Sequence, residues 1–218
     1  MDEIVKQALA KWPNVPHCTG WLLLDRRGTW RMRDEAAQAR GALGEPIRHT
    51  ALIGFINRNY ESDPHGQWFF QNGPQRVYVE LVYTPWIVRL AIDASSGALT
   101  LTDHTGRPFA PAAVYVDDDG GVLFAGDADD ASAAPRVAAL HDHDLDLFSE
   151  HAELSADGLS GKFDWRDGYA LPLQSVARAD VEARFGFVAS PAGRAAAMTA
   201  AMAAAAGTGN AAGESGKT

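Results

Sequence analysis

The sequence predicts an α+β protein built of two related units in tandem, each containing a hairpin, a helix and an antiparallel sheet. Three observations carry this. First, Leu22-Leu23-Leu24-Asp25-Arg26-Arg27-Gly28-Thr29-Trp30 reads as strand, tight turn, strand, and Val114 to Phe124 repeats the pattern around Asp117-Asp118-Asp119-Gly120. Second, an apolar helical stripe follows each hairpin, with Phe55 in the first and Phe148 in the second. Third, a strand with Phe70 or Phe163 comes next, again about 93 residues apart, and a glycine turn at Gly73 or Gly168 closes each series. Self-similarity at one spacing bears on architecture before any motif does. The expected division is a helix and lead-in over 1–19, a first unit over 20–110, a second over 111–189, and an Ala-rich helix with a disordered tail over 190–218.

Taken in order, residues 3–12 place Ile4, Val5, Ala8, Leu9 and Trp12 on one helical face, with Asp2 as N-cap and Pro13 as stop. The first hairpin turns at Arg27-Gly28. Residues 34–45 are polar and Ala/Gly-rich, a loop or a short frayed helix. A helix from about 49 to 61 follows, with Leu52, Phe55, Ile56 and Tyr60 on a narrow stripe and Phe55 at its buried centre. Ser62-Asp63-Pro64-His65-Gly66 breaks it. Residues 67–71 form a short strand and Asn72-Gly73-Pro74 a turn. Period-two patterning over 76–83, 86–92 and 99–103 then predicts an antiparallel meander. In the second unit, 126–134 is acidic and small, a helix carries Leu140, Leu145, Leu147 and Phe148, strands cover 161–165 and 169–176, and 180–187 reads equally as helix or strand. Ser190-Pro191 starts a helix rich in alanine, and the stretch from Gly207 is low-complexity.

Composition narrows the function. A net charge of −9 offers no basic footprint for a nucleic-acid backbone. No apolar run approaches the roughly 18 residues that span a bilayer. The N-terminus lacks the basic and apolar regions of a signal peptide, so the cytoplasm is the expected compartment. The single cysteine, Cys18, excludes an intrachain disulfide framework. His17 beside it points to the opposite face of an extended segment and is poorly placed to activate the thiol.

Chemistry-bearing clusters are few. Gln71-Asn72-Gly73-Pro74-Gln75-Arg76 gathers amides and one guanidinium between two apolar strands, and Arg58 at the preceding helix end can converge on it. A loop on a rigid sheet with these groups suits an anionic ligand or partner group, with Arg76 making two parallel hydrogen bonds. The competing account makes it a hairpin turn, with Arg76 paired to Glu80 or Asp63. Guanidinium does not titrate and amides take no proton near neutral pH, so Arg58, Gln71, Asn72, Gln75 and Arg76 point to binding, not catalysis. His141-Asp142-His143-Asp144 with Glu150 and His151 has the ligand types of zinc or manganese. The four-residue spacing of a paired-histidine zinc motif is absent, so a solvated, charged helix face is the favoured account of the cluster. The chain has no Gly-x-Ser-x-Gly elbow, P-loop or dinucleotide fingerprint. Asp117-Asp118-Asp119-Gly120 lacks the downstream ligands of a calcium loop and reads as a surface turn. Trp68, Phe69, Phe70, Tyr78, Tyr83 and Trp86 are mainly core; an uncovered sheet face would turn some into a partner-binding patch.

The stretch Ile56-Asn57-Arg58-Asn59-Tyr60 through Phe70-Gln71-Asn72-Gly73-Pro74-Gln75-Arg76-Val77-Tyr78-Val79 to Thr84-Pro85 resembles an uncharacterised proteobacterial domain-of-unknown-function family, over most of residues 1–190. Gly28-Thr29-Trp30 ahead of Pro46-Ile47-Arg48 resembles a second bacterial family, built of repeated α+β motifs and suspected of a regulatory role. Neither resemblance implies catalytic residues. The reading is a non-enzymatic cytoplasmic regulatory or ligand- and partner-binding protein, without cofactor, nucleic acid or membrane. Its partner is an unknown small molecule or protein. The alternative is a metal-assisted hydrolase using the His141–His151 cluster.

Overall fold

The computed structural model describes residues 1–126, 136–156, 160–166 and 168–209, with side chains as far as 204. The expected acidic segment after Gly126 and most of the tail therefore lie outside the described residues. In chain order the elements are α1 (Glu3–Lys11), β1 (Cys18–Leu24), β2 (Trp30–Met32), α2 (Glu35–Ala39), β3 (Glu45–Pro46), α3 (Thr50–Arg58), β4 (Tyr60–Ser62), β5 (Trp68–Asn72), β6 (Gln75–Leu81), β7 (Trp86–Ile92) and β8 (Leu99–Asp103). Then come β9 (Pro111–Asp117), β10 (Val122–Gly126), β11 (Arg136–Leu140), α4 (Leu145–Glu150), β12 (Ala152–Leu154), β13 (Ser160–Arg166), β14 (Tyr169–Val176), α5 (Val181–Phe185) and α6 (Pro191–Gly209).

Two mixed sheets make an α+β architecture. The first has the order β3-β2-β1-β6-β5-β4 and the second β12-β13-β14-β9-β10-β11-β7-β8. Read from β11 back to β12, the second sheet runs β11-β10-β9-β14-β13-β12, which is the first order shifted by eight strands. In both, the first and last strands of the series pair in parallel: Leu22 with Val79, and Leu173 with Val114. A helix lies between the third and fourth strands of each series, α3 in one and α4 in the other.

The hairpin turns form by the same local chemistry. Asp25 Oδ1 accepts from the backbone N–H of Arg27 and Thr29, both at 2.9 Å. Asp117 Oδ1 accepts from Asp119 at 3.0 Å and Gly121 at 2.6 Å. The left-handed residue in each is a glycine, Gly28 or Gly120. An aspartate at the head of such a turn satisfies amides that the ladder cannot reach.

The helix expected from about 49 to 61 ends at Arg58, and Tyr60 begins strand β4. The structure departs from the sequence reading in four further places. The meander expected over 76–103 is split, because the chain changes sheets at Thr84-Pro85; its β7–β8 pair is antiparallel as expected. Strand β6 ends in the first sheet and β7 begins in the second, where it pairs in parallel with β11. Thr84 fixes the crossing: its hydroxyl donates to the Trp86 carbonyl at 2.7 Å and accepts from the Ala139 N–H at 2.9 Å. Second, β11 occupies part of the expected 140–148 helix, since Val137, Ala138, Ala139 and Leu140 are all buried and show no alternation. Third, α1 buries only Val5, while Ile4 and Trp12 are exposed. Fourth, Phe55 is half-buried and Ile56 is the residue enclosed at 1% exposure. The meander's aromatic strands are otherwise core. Phe69, Phe70, Tyr78, Tyr83 and Trp86 are all buried, so no bare aromatic sheet face exists among them.

Candidate functional site

The five residues expected to bind lie around the β5–β6 turn, and the structure separates them by what they already hold. Asn72 and Gln75 are the last paired residues, and Gly73 takes the left-handed conformation between them. Arg58 ends α3 and donates Nε–H to both carboxylate oxygens of Asp2 at 3.3 Å. It tethers the start of α1. Gln75 Nε2 donates to the Pro16 carbonyl at 3.1 Å. Gln71 is fully buried; its Nε2 donates to the Gly73 carbonyl at 2.9 Å, while its Oε1 has no partner. Asn72 is exposed.

Arg76 is different. It pairs across the ladder with Gln71, so both side chains rise from the face that also carries Phe69 and Tyr78. Its guanidinium lies over the Phe69 ring at 4.4 Å. A cation placed over a ring face is attracted by the ring quadrupole, which restrains the side chain there. The two carboxylates that could have claimed it are engaged elsewhere. Glu80 accepts from the Ser190 hydroxyl at 2.6 Å and from the Ala192 N–H at 3.0 Å, which caps α6. Asp63 accepts from the N–H groups of His65 and Gln67, from Gln67 Nε2 and from the Tyr78 hydroxyl. Burial alone would raise the Asp63 carboxyl, but these hydrogen bonds outweigh it and hold the group below the usual carboxylate range. No carboxylate contacts Arg76 among the described residues. His17 stands edge-on to Tyr78 at 5.6 Å and borders the same face. In sequence it is a neighbour of Cys18, and nothing local indicates that residues 17 and 78 meet.

The 141–151 cluster is divided between two elements. His141, Asp142, His143 and Asp144 lie on a short 3-10 turn, not on α4, so His143 and His151 do not share a helical face. Asp142 is bound by Arg27 across the two sheets, with Nη2 at 2.5 Å. Asp144 takes two guanidinium bonds from Arg89, at 2.6 and 2.8 Å, and one from the Leu90 N–H at 3.0 Å. Burial would raise the Asp144 carboxyl, but these partners lower it. His141 caps the turn by accepting from the His143 N–H at 3.1 Å, and its imidazole is lowered first by burial and then by Arg89. Among the described residues no three His, Cys, Asp or Glu side chains are grouped to hold a metal ion.

Asp117 is likewise committed to structure. Besides its turn amides it accepts the Tyr83 hydroxyl at 2.5 Å, and the guanidinium groups of Arg26 and Arg178 lie over the Tyr83 ring at 4.9 and 4.3 Å. Burial, then the Asp117 hydrogen bond, raises the Tyr83 phenol above its ordinary value. No described helix is long and apolar enough to cross a membrane.

The sequence profile of a family described as "Protein of unknown function (DUF2946)" matches residues 1–192. Among solved structures the chain is similar to a DUF1285 family protein from Silicibacter pomeroyi, with a TM-score of 0.43 and 17% identity over 84% of this chain and 99% of that one. It is also similar to a DUF1285 family protein from Shewanella baltica, with a TM-score of 0.39 and 11% identity over 60% of this chain and 91% of that one. No curated protein matches the chain.

Proposed function

The chain belongs to that family of proteins of unknown function, and from that premise we propose a non-enzymatic, cytoplasmic regulatory or binding protein that engages an anionic group of a small ligand or protein partner at Arg76. One observation carries the proposal: the Arg76 guanidinium is stacked on Phe69 while Glu80 and Asp63 are both occupied by other donors. A charge held in this way is pre-oriented for a bidentate contact and gives up little side-chain freedom on binding. Support for a non-catalytic role comes from the carboxylates. Asp25, Asp63, Asp103 and Asp117 close turns, and Asp144 is ion-paired. Each is engaged by the backbone and side-chain donors that hold these turns and this ion pair.

The test is a thermal-shift screen of the full chain against carboxylates and carboxyl-terminated peptides, run in parallel on Arg76→Ala and Arg166→Ala. Arg166 stacks on Trp165 at 5.1 Å in the second sheet and is the matched control. A ligand at 100 times its Kd stabilises by about 2.7 kcal/mol. The expected result is a saturable rise in melting temperature for wild type and Arg166→Ala that disappears in Arg76→Ala. Equal rises in all three proteins would remove Arg76 from the site.

A further inference from the structure

We propose that the junction between the two sheets is an acid-sensitive latch: protonation of the His104 imidazole loosens the first sheet from the second.

The latch is built from five rings. Trp30, Tyr60 and Trp68 come from β2, β4 and β5 of the first sheet; Trp86 comes from β7, and His104 follows β8 of the second. The His104 ring lies 5.4 Å from Trp30, 5.8 Å from Tyr60 and 5.5 Å from Trp86. Tyr60 is edge-on to Trp86 at 5.4 Å, and Trp68 edge-on to Trp86 at 5.2 Å. Backbone wedges His104 in place. Its N–H donates to the Ile87 carbonyl at 2.8 Å, and a Cβ on Gly28 of the first hairpin would come within 2.7 Å of the His104 Cβ. His104 thus touches both sheets at once.

The ring is held in its neutral form. Nδ1 faces the Ile87 N–H at 3.4 Å as an acceptor, which places the proton on Nε2. Nε2 is buried and has no acceptor, and the same is true of Trp86 Nε1. Adding a proton to Nδ1 removes that acceptor and sets two N–H groups against each other. It also puts a charge among aromatic rings that water does not reach.

Few groups could soften that charge. Asp103 and Arg136 are the charged side chains that act on the ring, the first favouring protonation and the second opposing it. Asp103 is already bound by the Thr105 and Arg107 N–H groups, the Thr105 hydroxyl and Arg136 Nη2 at 2.6 Å. The Arg136 guanidinium lies over Trp86 at 4.3 Å, next to the imidazole. The hairpin that carries Gly28 contributes Asp25, which holds Arg31, Arg26, which stacks on Tyr83, and Arg27, which holds Asp142. On the Tyr60 side, burial raises the phenol well above its ordinary value, so it stays neutral. Burial accordingly drives the His104 imidazole down to about 4.

The experiment follows imidazole resonances, tryptophan fluorescence and amide exchange in the full chain between pH 7 and the acid range, with His104→Gln and His104→Phe alongside. In wild type, the His104 resonance should titrate well below that of an exposed histidine. Tryptophan emission and the protection of β2, β5 and β7 amides should change with the same midpoint, while far-UV dichroism stays native. Both variants should lack that transition. The same transition in a folded variant would overturn the proposal. So would a His104 titration that leaves emission and exchange unmoved. If neither variant folds, the wild-type data decide: coincident midpoints support the latch and separate midpoints refute it.

Discussion

Replacing Ile56 with alanine should cost more stability than replacing its larger neighbour Phe55. Ile56 is 1% exposed and sits in the core cluster with Tyr60, Phe70 and Trp30. The substitution removes three buried carbons, about 2.4 kcal/mol at roughly 0.8 kcal/mol each, and the cavity adds to that, giving about 3–4 kcal/mol. Phe55 is half-buried and meets the core through an edge-on contact with Phe70 at 5.3 Å. Losing roughly half of a buried phenylalanine costs about 1.5–2.5 kcal/mol. Urea unfolding of both variants, followed by far-UV dichroism, measures the difference at an unchanged slope. A Phe55→Ala loss equal to or larger than that of Ile56→Ala would mean that α3 presents a different face to the sheet and would refute this packing.

Three further outcomes follow from named contacts. Glu80→Ala strands the Ser190 hydroxyl and the Ala192 N–H, and should cost about 1–3 kcal/mol together with part of the 222 nm helical signal of α6, read by dichroism and urea unfolding. Gly66→Ala places a Cβ against the Gly186 carbonyl oxygen at a backbone φ of 76°; a loss of about 1–3 kcal/mol is expected, and thermal melting checks it. Asp63 and Asp144 are both held below their unfolded-state values, so the stability they contribute is complete above about pH 4 and is lost as pH falls through their folded values. Asp144→Asn should therefore flatten the acid limb of the stability profile, measured as the urea midpoint between pH 5 and pH 2.

The two hairpins were legible because everything that makes them is local. An aspartate, a glycine three residues later and apolar flanks suffice, as the Asp25 and Asp117 turns demonstrate. The sheet change at Thr84-Pro85 was not legible. Its anchor is the Ala139 N–H, 55 residues away, and strands adjacent in sequence give no sign of belonging to different sheets. Strand β11 was obscured for a related reason: with both faces buried, Val137, Ala138 and Ala139 show no alternation, and Leu140 merges with the helix beyond. The site was legible only in part. Amides and Arg76 on a turn between strong strands could be read directly. That Arg58 is held by Asp2, 56 residues earlier, and Gln75 by the Pro16 carbonyl depends on where α1 docks, which a helix exposing Ile4 and Trp12 hardly signals.

The central claim is that Arg76 is a pre-oriented anion anchor, and the most direct measurement is the Nε–H resonance of Arg76 in a two-dimensional NMR titration with a carboxylate that stabilises the protein. Binding at the guanidinium predicts a saturable downfield shift of that resonance, with the backbone amides of Gln75 and Arg76 moving at the same apparent Kd. It also predicts that Arg76→Lys binds at least ten-fold more weakly, because an ammonium cannot form the two parallel bonds. An unmoved Arg76 Nε–H at saturating ligand, or full affinity in Arg76→Lys, would contradict it.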